Sequence, residues 1–327
     1  MQVLKRLSFA CLALAAVFTA LPSHAQDWPN RPVRIINTFA AGGTADVLAR
    51  SVADHLSNTF GQQFYVETRA GAGGAIGVQA VVNTPPDGYN FVITNVSLLV
   101  LQPFTNPKLG YDPERDLTNI AYIAGAPVVL SVNAASGIKS LTDFIAAARS
   151  AARPLTFSSS GLGSMGHLLC ELFANKAGLK VEHVPYKGAS QGLMDLVGGH
   201  IDFACQTVSS TAAQLRSGAL LGLAQTAAER LPDYPDLPTF KEFGFPDLVS
   251  TTWFSLSGPA GLSDEIVEKV NLEVGRAMNS PEALQKLQQD GLVSDPMTPR
   301  EFRRLIAAET ARWKSVAERA GLIRPLH

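Results

Sequence analysis

Between Arg34 and Thr226, short β-rich runs alternate with helical patterns, and this alternation constrains the fold more than any other feature of the chain. Arg34 to Phe39, Phe64 to Glu67 and Phe91 to Asn95 read as strands. Between the first two, Leu48, Val52, Leu56 and Phe60 recur at a four-residue spacing, and Gly61 stops the helix that begins at Ala45. The pattern then repeats. Helices are expected at 140–150, 164–177, 190–197 and 211–217, and strands at 155–158, 181–186, 201–206 and 221–226. Alternation at these spacings specifies an α/β fold of mostly parallel sheets flanked by helices. Two segments break the rhythm. The run from Ile120 to Asn133 is long for one strand and carries Gly125 and Pro127 in its middle, and Trp253 to Ser257 is an isolated strand after a proline-rich loop. Two such strands suit a chain that crosses to a second lobe and returns. The expected organisation is therefore a discontinuous lobe 1, residues 26–126 and 250–327, around a lobe 2 of residues 127–249. The last third turns helical, with Thr298-Pro299 as the start of a helix reaching Ala320.

The first 25 residues read as a signal peptide. Lys5 and Arg6 precede an apolar run from Leu7 to Leu21, and Ser23-His24-Ala25 places small residues at the −3 and −1 positions of a cleavage site after Ala25. About 20 apolar residues are needed to span a bilayer, more than this run supplies. Lipidation at Cys11 is disfavoured by Ser8, where a leucine is expected. Cleavage leaves 302 residues, enough for one large domain or two ordinary ones, in the periplasm. Loss of Lys5 and Arg6 moves the formal charge from −1 to −3. So nearly neutral a chain carries no basic footprint for nucleic acid and none for an anionic membrane. Cys170 and Cys205 could pair in an oxidising compartment, but each sits in an apolar segment (LLCELF and IDFACQ), which favours buried unpaired thiols and leaves the pairing open. With neither HExxH nor CxxC in the chain, no metal site and no cofactor is expected.

Three glycine-rich loops follow strands and open helices. In Phe39-Ala40-Ala41-Gly42-Gly43-Thr44-Ala45-Asp46, adjacent glycines let the backbone approach a ligand, and the helix start aims N–H groups and a positive dipole end at an anion. Asp46 falls in the first turn, where its carboxylate can accept from backbone N–H groups. The second loop, Ser158 to His167, is dense in hydroxyls and glycines and suits a carboxylate or phosphate. It also spells GxGxxG. The dinucleotide fingerprint requires an acid about 20 residues on, at the end of the next strand; Glu182 lies earlier, near the start of its strand. A nucleophile elbow would need GxSxG, and Leu162 stands where that motif has its first glycine. His167 and Glu171 share an i, i+4 spacing, which two candidate ligands alone do not make into a zinc site. The third loop, Glu67 to Gly77, holds Gly71, Gly73, Gly74 and Gly77, and serves packing or a ligand equally well. Ser97, Tyr186-Lys187-Gly188 and Gln206-Thr207 lie at or just beyond strand ends, where open α/β sheets place their crevice.

Taken together and in order, these segments resemble the periplasmic substrate-binding proteins of tripartite tricarboxylate transporters, the Bug family. The resemblance spans nearly all of the chain after residue 25: WPNRPVRII, FAAGGTADVLAR, RAGAGGAIGVQAV, PPDGYNFVI, FSSSGLGSMGHLLCELF, VPYKGASQGLMDLVGGHIDF, LPTFKEFGFPDL and SGPAGLSDEIVEKVN. It implies a two-lobed periplasmic binding protein of the type II Venus-flytrap class, with two crossing strands. Such a protein is a non-catalytic monomer that delivers a small carboxylate to the membrane components of the transporter. It implies a carboxylate held by backbone N–H groups and hydroxyls, partly through water. Carried over, the candidate ligand-binding residues are Phe39, Ala41, Gly42, Gly43, Thr44, Asp46 and Ser97 in the first lobe. In the second they are Ser159, Ser160, Gly163, Ser164, His167, Tyr186, Lys187, Gly188 and Gln206. Ala41 departs from the proline the family often has before its double glycine. The alternative is a secreted α/β oxidoreductase using the GLGSMG loop, which turnover or a bound-cofactor spectrum would reveal.

Overall fold

The computed structural model describes residues 28–319. The signal peptide and its cleavage site lie outside the described residues.

The expected alternation is present, built into two five-stranded sheets. The first has the order β2-β1-β3-β10-β4, from β1 (Val33–Asn37), β2 (Phe64–Thr68), β3 (Asn90–Asn95), β4 (Leu117–Ala126) and β10 (Thr252–Pro259). The second has the order β7-β6-β8-β5-β9, from β5 (Val128–Asn133), β6 (Leu155–Ser159), β7 (Val181–Pro185), β8 (Phe203–Thr207) and β9 (Leu220–Gln225). In each sheet four strands point one way and one opposes them: β10 runs antiparallel to β3 and β4, and β5 to β8 and β9. Each opposing strand is the one by which the chain enters its sheet from the other lobe. A strand entering from the opposite side arrives with reversed direction.

The helices form where the sequence supplies an apolar stripe and a cap. In α1 (Thr44–Phe60), Leu48, Val52 and Leu56 are buried at four-residue spacing, and Gly61 ends the helix at φ 67° with its N–H on Ser57 O. The segment Ala75–Val82 forms α2. Ser140 caps α3 (Leu141–Ser150) by accepting from Asp143 N–H. The second lobe continues with α4 (Met165–Ala177), α5 (Ala189–Val197) and α6 (Val208–Arg216). The last helix starts three residues before the sequence expectation, because Thr207 caps it and its first turn, Val208-Ser209-Ser210, lacks an apolar period. The C-terminal helices α7 (Asp264–Asn279), α8 (Pro281–Gln289) and α9 (Pro299–Arg319) follow, two of them opened by proline at the first position. Ser97–Leu101, apolar but for Ser97, forms a buried π-helical turn that periodicity does not announce.

The long run 120–133 divides at Pro127 into β4 and β5, because proline cannot donate to a ladder. The two crossings are stitched together by Thr226. Its N–H donates to Val128 O at 2.9 Å, and its hydroxyl accepts from Val128 N–H at 2.9 Å and donates to Ser250 O at 2.8 Å.

One expectation is corrected. Cys170 and Cys205 are not separate thiols; they form a disulfide, with Cα atoms 6.2 Å apart. The cause is the close seat of α4 on β8. At Gly166 any Cβ would lie 2.1 Å from Cys205 O, so only glycine permits the approach. Cys170, one turn further on the same face of α4, is thereby carried over Cys205. Nothing local to LLCELF or IDFACQ signals this.

Candidate functional site

The carboxyl ends of β1 and β3 in the first lobe face those of β6 and β8 in the second. Between them lies a partly open cavity. Four helices end on it. Gly43, Thr44 and Ala45 bring the start of α1, Ser164, Met165 and Gly166 that of α4, Ala189 that of α5, and Thr207 and Ser210 that of α6. The first-turn N–H groups of a helix have no intrahelical partner, and the aligned peptide dipoles leave about half a positive charge at each start. Hydroxyls of Thr44, Ser97, Ser160, Ser164 and Thr252 and the amides of Asn95 and Gln206 add polar atoms, while Phe39, Phe254 and Val128 supply apolar wall. No charged side chain lines the cavity among the described residues. The arrangement attracts an anion through oriented dipoles rather than a counter-ion.

The structure divides the candidate residues into those on the cavity and those that hold them. Phe39, Gly43, Thr44, Ser97, Ser160, Ser164 and Gln206 line it. Asp46 turns back on its own loop: Oδ2 accepts from Gly42 N–H at 3.1 Å and Oδ1 from Asn37 Nδ2 at 3.3 Å, while Arg50 pairs with it at 3.1 Å. Gly42 takes φ 81°, the turn that lets Gly43, with extended backbone, act as N-cap. Ala41 is exposed, and its carbonyl accepts from Ser190 Oγ at 2.9 Å.

The hydroxyl-rich loop has a similar division. Ser159 is buried at the centre of a network. Its Oγ donates to Gly161 O at 3.1 Å, accepts from Ser164 Oγ at 3.2 Å, and lies 2.7 Å from His183 Nε2. His167 Nδ1 accepts from Gly163 N–H at 3.2 Å, and its ring stacks on that of His183 at 4.0 Å. Burial, seconded by His167, pushes the His183 imidazole down to about 3, so it is neutral at pH 7. Ser159, Gly163 and His167 thus shape the loop that presents Ser160 and Ser164. Tyr186 OH donates to Asp195 Oδ2 at 2.5 Å, Lys187 O accepts from Ala40 N–H at 2.9 Å, and Gly188 packs on Ala40; all three stand off the cavity. Sequence reasoning missed Ala45, Asn95, Val128, Met165, Gly166, Ala189, Cys205, Thr252 and Phe254, and left Thr207 and Ser210 outside the candidate set. Most offer backbone or apolar surface. Only the helix starts could have pointed to Ala45, Gly166 and Ala189.

The lobes touch directly around the cavity. Thr44 Oγ1 lies 2.9 Å from Thr207 Oγ1 and 2.6 Å from Ser209 Oγ, and Met165 N–H donates to Ser97 Oγ at 2.9 Å. At the rim, the third glycine loop packs rather than lines: a Cβ on Gly73 would lie 2.3 Å from Leu162 O of the opposite lobe.

Comparison with known proteins agrees with this architecture. Residues 48–322 match the family model described as tripartite tricarboxylate transporter family receptor. The chain is 31% identical over 322 residues to the protein BugT of Bordetella pertussis (strain Tohama I), covering 98% of this chain and 99% of BugT. Among solved structures it is similar to R. palustris Rpa4515 with adipate, at TM-score 0.87 and 36% identity, over 90% of this chain and 99% of that one. It is similar also to MatC from Rhodopseudomonas palustris with bound malate, at TM-score 0.84 and 29% identity, over 88% of this chain and 99% of that one. With its two α/β lobes and its match over most of the chain, this protein belongs to the tripartite tricarboxylate transporter receptor family, whose members are solute-binding proteins and not enzymes.

Proposed function

We propose that this protein captures a small carboxylate in the cleft between its lobes and delivers it to the membrane components of a tripartite tricarboxylate-type transporter. The observation that carries the reading is the convergence of four helix N-termini and a set of hydroxyls on a cavity whose lining has no charged side chain. The adipate and malate named for two structural neighbours support the same ligand class. The site we assign comprises Gly43, Thr44, Ser97, Ser160, Ser164 and Gln206 on the cavity. Asp46, Gly42, Ser159, Gly163 and His167 hold its loops. The lobes run from 26 to 126 with 250 to 327, and from 127 to 249. They close about the stitched crossings at Val128, Thr226 and Ser250 as a hinge. Export to the periplasm, cleavage after Ala25 and action as a monomer complete the reading.

A thermal-shift screen of mono-, di- and tricarboxylates, aromatic acids and acidic amino acids tests it. At 100 times the dissociation constant a native-state ligand adds roughly 2.7 kcal/mol of stability, so at least one acid should raise the melting temperature, and its amide should not. A neutral sugar that stabilises the protein while every acid fails would refute the reading.

A further inference from the structure

We propose that His167 is a positioning residue for ligand capture that works only while its ring is unprotonated, so that acidification weakens binding by favouring the open cleft; this rests on the carboxylate reading above. His167 Nδ1 accepts from Gly163 N–H at 3.2 Å. An imidazole nitrogen accepts only when it carries no proton, and a protonated ring donates from both nitrogens. Protonation therefore turns this bond into two N–H groups facing each other. Gly163, at φ 74°, makes the turn between Ser160 and Ser164, both of which line the cavity. It also lies where the lobes meet. A Cβ on Gly163 would lie 3.1 Å from Gln102 Cγ of the first lobe, and Met165 N–H, two residues on, donates to Ser97 Oγ at 2.9 Å. With the lobes closed, the loop is held from both sides and cannot turn Gly163 N–H away from the ring. With the lobes apart, only the second lobe holds it. The proton is thus more costly in the closed, ligand-bound protein than in the open one, and by linkage it lowers ligand affinity.

The surroundings direct the proton to this ring. On α4 itself, Glu171 Oε1 lies 3.9 Å from His167 Nε2 and supplies the counter-charge an imidazolium needs. Burial raises the Glu171 carboxyl above its ordinary value. The positive start of α4 acts the other way, against the charge. On β7, His183 stacks on the ring at 4.0 Å. Burial and then the charge of His167 hold His183 down to about 3, so it stays neutral in mildly acid solution and does not take the proton in place of His167. Glu182, its neighbour on β7, is exposed on the opposite face of the strand. On β6, the ring faces Phe157, with centroids 6.3 Å apart, and the network of Ser159, both uncharged. From the first lobe, Gln102 and Thr105 face Gly163, again without charge.

The test is calorimetry with succinate, malate and adipate at pH 7.5, 6.5 and 5.5, a window around the ordinary imidazole value of about 6.5. Wild type is compared with His167→Phe, which has no acceptor, and His167→Asn, whose amide oxygen stands near the place of Nδ1 and accepts at every pH. His167→Asn should recover the binding that His167→Phe loses. The ratio of wild-type to His167→Asn affinity should then fall roughly two- to tenfold from pH 7.5 to 5.5, the worth of one hydrogen bond. Both proteins meet the same acid, so titration of the ligand and of the other histidines cancels in this ratio. A second measurement needs neither ligand nor variant. In isotope-labelled wild-type protein, the Gly163 amide resonance should shift with the titration of the His167 ring. A ratio that stays constant across the window, or a Gly163 amide that ignores the ring's titration, would overturn the proposal while leaving carboxylate binding intact. Failure of the wild type to bind any carboxylate of the wider screen at any pH would instead overturn the reading on which the proposal rests.

Discussion

Substituting Gly73 by alanine should weaken ligand binding without a matching loss of stability. Gly73 sits at φ 61°, where an L-residue is strained by about 1 kcal/mol. That cost is common to every arrangement of the lobes. The second cost is not. The new Cβ would lie 2.3 Å from Leu162 O and 2.8 Å from Gln102 Nε2, and Leu162 belongs to the opposite lobe. Restoring normal contact requires the rims to part by roughly 1 Å. Met165, three residues beyond Leu162, donates to Ser97 Oγ at 2.9 Å, and a retreat of this size breaks that bond; the Thr44 contacts at 2.9 and 2.6 Å are next in line. At about 0.5–1.5 kcal/mol per bond, losing two costs about 1–3 kcal/mol of closed-state stability, or roughly five- to a hundredfold in affinity. Gly61→Ala is the control, since Gly61 has nearly the same φ, 67°, and a Cβ added there would meet no atom within 4 Å. Both variants should lose similar stability in urea, and only Gly73→Ala should lose affinity for the best acid of the screen. Small-angle scattering should show Gly73→Ala with ligand to be more extended than the ligand-bound control. Equal affinity and equal compaction in the two variants would refute the argument that the closed cleft depends on this bare-backbone contact.

Replacing Cys170 and Cys205 by serine should lower stability by about 4 kcal/mol, the loop-entropy value for a separation of 35 residues, as read from the urea midpoint; a loss under about 1 kcal/mol would contradict it. Ser164→Ala should cost about 1 kcal/mol as a lost cap of α4 and a further ten- to hundredfold in ligand affinity, measured by calorimetry. Wild-type affinity would reduce Ser164 to a cap alone. The pH dependence follows from His183, whose native pKa of about 3 lies below the unfolded value of about 6.5. The unfolded chain therefore binds the extra proton, so this residue's contribution to stability falls as pH drops from 6.5 toward 3 and is flat above 6.5. Melting curves of His183→Asn across that window should be less pH-dependent than wild type; identical slopes would show that His183 is not the responsible group.

What the sequence by itself determined is what short-range physics decides. The four-residue spacing of Leu48, Val52 and Leu56 specifies a helix whatever it packs against. Gly61 ends that helix, Ser164 caps another, and Pro127 splits a long apolar run into two strands, each through contacts within a few residues. Helix starts after glycine-rich loops carry their positive ends with them, so positive helix ends at the strand termini were legible before any coordinates. The tertiary structure decided which groups face the ligand space. Ser159 and Ser160 are adjacent and chemically identical, yet one is buried in a network with His183 and the other bonds Gln206 on the cavity wall. Asp46 had the chemistry of a ligand contact and is used to fold the Gly42 turn. Cys170 and Cys205 met because Gly166 lets α4 settle onto β8, and Thr252 entered the site because a returning strand pairs beside the crossing. Apart from the Asp46 turn, these are contacts between residues about two dozen to more than a hundred positions apart. Local periodicity and capping carry no record of them, because their energies arise only once two packed surfaces have met.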